Sequence, residues 1–123
     1  MADVMIVDDE ALVLLDLTVT IEEMGHDVVC DSTNIEDAFA CMEQGVPDVA
    51  LLDIDVGGTP VWPLAREVKN RGCPIIFISA NRNHQELRGE FADSRYIDKP
   101  ASPSDISSAL DCALSASSRR QSA

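Results

Sequence analysis

Five short strand-like runs alternate with stretches of helical spacing along a 123-residue chain, and this alternation limits the fold more than any other feature. Val4-Met5-Ile6-Val7, Val28-Val29-Cys30, Val49 to Leu52, Ile75 to Ile78 and Arg95-Tyr96-Ile97 are the runs. The third and fourth have no polar alternation, as expected of strands covered on both faces. Between the runs, Leu14, Leu17, Ile21 and Met24 share one helical face, with Gly25 ending that helix. Thr33-Asn34-Ile35-Glu36 fits a capping box, and Ile35, Ala38, Phe39 and Met42 continue a second helix until Gly45 and Pro47. Val61, Leu64, Ala65 and Val68 mark a third, closed by Gly72, and residues 84–91 suggest a short fourth. Ser102-Pro103-Ser104-Asp105 is a strong helix start, with Ile106, Ala109, Leu110 and Ala113 following. Five β-α units in this length predict an α/β domain, a parallel sheet with helices on both faces.

The domain is expected over residues 1–116, with the Ser-rich 117–123 as a disordered tail that includes Arg119-Arg120. A hydrophobic content of 46% gives such a domain a real core. The net charge of −13 disfavours nucleic acid or an anionic membrane as partner, since both are polyanions. Cys30, Cys41, Cys73 and Cys112 are widely spaced without a C-x-x-C pair and read as small core residues in a reducing compartment. Met1-Ala2-Asp3 lacks the basic start of a signal peptide, and no apolar stretch reaches membrane length, so a cytoplasmic location is expected.

In open parallel sheets, function gathers at the carboxyl ends of the strands. Here the first strand runs into Asp8-Asp9-Glu10, the third into Asp53 and then Asp55, and the fourth ends at Ser79. The fifth is followed by Lys99-Pro100, and Lys99 is one of only two lysines. Two carboxylates about 5 Å apart repel by roughly 3 kcal/mol at an effective dielectric near 20. Such a cluster persists if it binds a cation or raises its pKa values. An all-oxygen site suits Mg²⁺, and the ion together with Lys99 would turn the pocket into one that takes a phosphoryl group, with Asp53 as nucleophile.

The ordered set Asp8-Asp9, Asp53, Ser79, Tyr96 and Lys99-Pro100 resembles the receiver domain of two-component response regulators, of the free-standing single-domain type. The resemblance implies a doubly wound, flavodoxin-like (CheY-like) five-stranded sheet of order 2-1-3-4-5. It implies Asp53 as phosphoacceptor, Asp9 as a direct Mg²⁺ ligand, Asp8 helping through water, and the backbone carbonyl of Asp55 as a further ligand. Ser79 and Lys99 would hold the phosphoryl oxygens, Tyr96 would be an aromatic switch coupled to Ser79, and the Lys99-Pro100 bond would be cis. The implied partners are a sensor histidine kinase or histidine phosphotransfer protein and a downstream protein, for a monomer or weak dimer. Such a module is a signalling phosphoacceptor in a phosphorelay, not an enzyme acting on an outside substrate.

The chain departs from the pattern in two places. Val56-Gly57-Gly58-Thr59-Pro60 replaces the usual Pro and Gly after the acceptor strand, and the Gly pair suggests a more mobile loop. The segment between Ser79 and Tyr96 is short, with Leu87 and Phe91 as its apolar anchors, so the fourth helix is expected to be short or irregular. Gly57 to Ala65 (GGTPVWPLA) is similar to an alphaproteobacterial branch linked to HWE-type kinases, although Ile78-Ser79-Ala80-Asn81-Arg82 stands where that branch has F-A-T-G-Y. Asp53-Ile54-Asp55 also resembles the D-x-D-x-x-T start of haloacid-dehalogenase-type phosphohydrolases, but the acidic pair Asp8-Asp9 then falls on the wrong side of it. A receiver that binds partners without phosphorylation is the third reading. Trp62 reads as a packing residue at a helix start, and His26 and His84 read as surface residues.

Overall fold

A computed structural model describes the backbone of residues 1–122 and the side chains of residues 1–115. The strands are β1 (Asp3–Val7), β2 (Asp27–Ser32), β3 (Val49–Leu52), β4 (Asp55–Val56), β5 (Thr59–Pro60), β6 (Ile75–Ser79) and β7 (Arg95–Asp98). The helices are α1 (Ala11–Glu23), α2 (Ile35–Gln44), α3 (Trp62–Asn70), α4 (Gln85–Arg88) and α5 (Pro103–Ser122). The five longer strands form one parallel sheet of order β2-β1-β3-β6-β7. Apart from the small β4-β5 hairpin, this is the expected order 2-1-3-4-5, in a doubly wound sheet of flavodoxin-like form. The stretch expected as a tail, 117–123, lies outside the described side chains.

Both faces of the central strands are covered, which is why they carry no polar alternation. Met5, Val7, Ala50, Leu52, Ile75 and Phe77 project into one core layer, against Ala38 and Met42 of α2 and Leu64, Ala65 and Val68 of α3. Val4, Ile6, Val49, Leu51, Ile76 and Ile78 project into the other, against Leu14, Leu17 and Ile21 of α1 and Ile106, Ala109 and Leu110 of α5. The two sets alternate along each strand, as successive side chains must.

The helix starts differ in one detail from the sequence reading. The cap of α2 is Asn34 rather than Thr33: Asn34 Oδ1 accepts the Asp37 N–H at 2.8 Å, and Asn34 Nδ2 donates to Asp37 Oδ2 at 3.0 Å. The pattern fits in either register, and Asn34 has the extended backbone a cap needs. Ser102 caps α5 as expected, accepting the Asp105 N–H at 3.1 Å.

α4 has four residues, in keeping with the short fourth helix expected. Its segment is held chiefly by Phe91, which packs edge-on to Phe77 and stacks on Trp62, with centroids 5.3 and 5.7 Å away. Trp62 is the packing residue anticipated at the start of α3. His84 and His26 are not free surface residues, because both are half-buried. The His84 ring lies 5.6 Å from that of Trp62, and His26 Nδ1 accepts the Ala2 N–H at 3.1 Å.

The loop expected to be mobile is instead a two-residue hairpin. Gly57 and Gly58 have φ of 62° and 82°, the left-handed pair that joins β4 to β5 with a twist matching the strands. A Gly pair between Val56 and Thr59 is itself the sequence signal for that turn. The cysteines also differ from expectation. The sulfurs of Cys30 and Cys41 are bonded, Cys73 is buried and free, and Cys112 is exposed.

Candidate functional site

The ends of β1, β3, β6 and β7 meet at one edge of the sheet. Parallel pairing in register brings them level: Val7 pairs with Leu52, Leu52 with Phe77, and Ser79 with Asp98. The next residues are Asp8 and Asp53 on one side and Lys99 on the other. The Asp53 N–H donates to the Val7 carbonyl at 2.9 Å, and the Asp8 N–H to the Ser32 carbonyl at 3.0 Å, so both acids sit on continued ladder bonds.

Asp8 and Asp53 are buried, at 1% and 7% exposure, and Lys99 joins them. Lys99 Nζ lies 3.0 Å from Asp8 Oδ2, 3.2 Å from Asp53 Oδ2 and 3.4 Å from Glu10 Oε1. The contact with Asp8 is an ion pair. Asp8 Oδ2 is the buried side-chain oxygen without a hydrogen-bond partner among the described residues. Its other oxygen accepts the Glu10 N–H at 2.9 Å, while Asp53 Oδ1 accepts the Ile54 N–H at 2.8 Å. Burial pushes the Asp53 carboxyl up to about 6; the Lys99 charge works against this rise and the Asp8 charge adds to it. Burial alone would lower the Lys99 ammonium, but Asp8 and Asp53 outweigh it and hold the group above its ordinary value.

Carboxylate oxygens of Asp8, Asp9 and Glu10 lie within 4.8 Å of one another. A buried Asp8 carboxylate whose Oδ2 meets only the Lys99 charge, beside two further carboxylates, is a hard-oxygen donor set that fits Mg²⁺. Asp9 is exposed, and its Oδ2 accepts the Gly57 N–H at 3.0 Å, which ties the acidic cluster to the hairpin. Sequence reasoning assigned no role to Glu10. Its place in the Asp8-Asp9-Glu10 run was visible, but its contact with Lys99 depends on a residue 89 positions away. Asp55 is exposed on the hairpin, where its Oδ1 accepts the Gly58 N–H at 3.0 Å. A carboxylate committed to that turn is poorly placed for the acid/base role of the phosphohydrolase reading.

Ser79 and Tyr96 lie side by side at the ends of their strands. The Ser79 hydroxyl is engaged in a local turn, accepting the Asn81 N–H at 3.2 Å and donating to the Asn81 carbonyl at 3.3 Å. The Ser79 carbonyl accepts from the Lys99 N–H at 3.0 Å and from the Tyr96 hydroxyl at 2.9 Å. Tyr96 is half-buried, and the Arg82 guanidinium stacks 4.8 Å from its ring centroid. The Lys99-Pro100 bond is cis, as expected.

Known proteins are similar to this chain in sequence and in fold. The transcriptional regulatory protein PdtaR of Mycobacterium tuberculosis is 29% identical over 115 residues, covering 91% of this chain and 56% of its own. The phyllosphere-induced regulator PhyR of Methylorubrum extorquens is 30% identical over 116 residues, covering 91% and 43%. The chain thus spans about half the length of these curated relatives. Among solved structures, the signal receiver domain of a modulated diguanylate cyclase from Desulfovibrio desulfuricans G20 superposes with a TM-score of 0.85 at 27% identity, covering 98% of both chains. A family model described as the response regulator receiver domain matches residues 4–111. With that match over most of its length and acids and lysine at the strand ends, the chain belongs to the response regulator receiver domain family.

Proposed function

We propose that this chain accepts a phosphoryl group on Asp53 from the phosphohistidine of a sensor histidine kinase or phosphotransfer protein, and signals through protein contact. The observation that carries the reading is the buried Asp53 carboxylate 3.2 Å from Lys99 Nζ, beside the buried Asp8 carboxylate that the same lysine pairs with. An Asp53 oxygen attacks phosphorus, the P–N bond breaks, and the imidazole leaves with the electron pair. Asp53 attacks as the carboxylate; burial raises its carboxyl, and the Lys99 charge works in favour of the ionised form. Lys99, freed from part of its contact with Asp53, moves its charge to the phosphoryl oxygens. Asp8, Asp9 and Asp53, with the Asp55 carbonyl, would hold Mg²⁺. When bound, that ion neutralises charge on the acids and on the phosphoryl oxygens.

Ser79 and Tyr96 then serve as the relay. A Ser79 hydroxyl drawn to the phosphoryl group gives up its turn with Asn81. The Ser79 carbonyl carries that movement to the Tyr96 hydroxyl it accepts from. The similarity to PhyR supports a reading of the chain as a receiver of that branch, and HWE-type kinases are the donors proposed on that ground.

The test is acetyl phosphate with Mg²⁺ followed by intact mass. One added phosphoryl group is expected, absent in Asp53→Asn and absent with EDTA. An adduct that survives in Asp53→Asn would overturn the assignment of the acceptor. Absence of any adduct from both acetyl phosphate and a phosphohistidine donor would overturn the function.

A further inference from the structure

Cys30 and Cys41 are brought together by a device in the sheet. β2 pairs with β1 through Val4 and Val28, and then Met5 pairs with Cys30, which leaves Val29 as an extra residue. Without that bulge, Val28 and Cys30 would share a face. With it, Val28 packs on the α1 and α5 side, whereas Cys30 sits in the layer under α2 and α3. There Cys30 meets Cys41 of α2, with Cα atoms 6.2 Å apart and the sulfurs bonded. That separation lies within the range a disulfide spans. Cys30 is buried and Cys41 half-buried, yet both line an open cleft of about 240 Å³ at the sheet edge, beside Val29, Gln44 and Val46. The cleft is the route by which a small reagent would approach the pair in the folded chain.

We propose that Cys30 and Cys41 form a reversible thiol–disulfide site, oxidised by a small peroxide and reduced by a dithiol, which locks or frees α2 on the edge strand. The more accessible Cys41 thiolate attacks one peroxide oxygen. The O–O bond breaks, and hydroxide leaves and takes up the thiol proton as water. The Cys30 thiol then attacks the sulfenic sulfur, the S–S bond forms, the S–O bond breaks, and a second water leaves with the Cys30 proton. Two electrons pass from the sulfurs to the peroxide. A dithiol reverses the change by exchange and is itself oxidised to its disulfide.

The remaining cysteines do not compete for this role. Burial pushes the Cys73 thiol up to about 12, with the Asp48 charge adding, so its reactive thiolate is scarce. Cys112 is exposed on α5 and has no sulfur partner among the described residues. The site also lies close to the acidic pocket. Ser32, two residues beyond Cys30, has its Oγ 3.4 Å from Cys30 Sγ, and its carbonyl holds the Asp8 N–H. The lock therefore acts at the root of the strand end that positions Asp8. This inference stands independently of the proposed phosphoryl transfer.

The experiment uses the full chain, reduced with dithiothreitol, freed of it, and exposed to hydrogen peroxide. After alkylation and peptide mapping, Cys30 and Cys41 should be protected and linked, with Cys73 and Cys112 still free, and dithiothreitol should restore both thiols. The intact mass should fall by two hydrogens. Closing a loop between residues 11 apart should make unfolding roughly 100-fold less favourable in the oxidised form. Cys41→Ser should abolish both effects. Alkylation of both Cys30 and Cys41 after peroxide, a linkage through Cys73 or Cys112 instead, or equal denaturation midpoints for the two forms would overturn the proposal. The mapping is done on the natural sequence, so it decides the matter even where a variant folds poorly.

Discussion

Replacing Asp53 by asparagine should stabilise the protein by an amount that opens as pH rises past 3.8 and levels off once it passes about 6. Asp53 is buried, and burial lifts its carboxyl from the ordinary 3.8 to about 6 against the pull of Lys99 and with the push of Asp8. An acid with a raised folded pKa is stabilising when protonated. That contribution is fully present below 3.8 and is lost as pH rises through about 6. Each tenfold change in proton affinity is worth about 1.4 kcal/mol, so the rise corresponds to a loss of about 3 kcal/mol at neutral pH, a large share of a total near 5–15 kcal/mol. Asparagine is nearly the same shape and cannot ionise, so it keeps the contribution at every pH, while Lys99 retains Asp8 and Glu10. The assay is urea unfolding of both proteins from pH 4 to pH 8 in EDTA, which removes divalent ions that would mask the repulsion. The difference should be near zero at pH 4 and should grow through pH 6 to about 3 kcal/mol, as the same magnitude requires. A difference that is flat with pH, or wild type more stable at pH 8, would refute the account of strain at Asp53.

Magnesium should raise the midpoint of thermal unfolding in proportion to the logarithm of its concentration. Asp9→Asn should remove most of that rise, read by differential scanning fluorimetry, whereas Glu22→Gln, exposed near the end of α1, should leave it intact. Lys99→Met leaves Asp8 and Asp53 without their cation and should cost about 3 kcal/mol at neutral pH. In urea unfolding that deficit should shrink as pH falls and Asp53 takes up its proton. Gly58→Ala places a side chain at φ of 82° in the hairpin turn. It should cost roughly 1 kcal/mol in the same assay and should weaken magnesium binding by loosening the Gly57 tie to Asp9.

The alternation of apolar runs with helical spacing, read directly from the chain, determines the layer architecture and the strand ends. Those signals are local, and periodicity needs only near neighbours in the chain. The acids at 8, 9 and 53, Ser79 and Lys99 were legible for the same reason, since each follows a strand whose end a short apolar run defines. The brevity of α4 was also legible, because only Leu87 and Phe91 could anchor it.

Tertiary structure alone decided how these groups meet. Lys99 touches Glu10 as well as Asp8 and Asp53, which depends on strand register rather than on spacing in the chain. The disulfide pair depends on a single unpaired residue, Val29, which turns Cys30 to the face that α2 covers. A one-residue change in pairing moves every following side chain to the other face of a sheet. No local pattern in the sequence records where such a change falls. Sequence reasoning therefore treated Cys30 and Cys41 as separate core residues, and the fold made them neighbours.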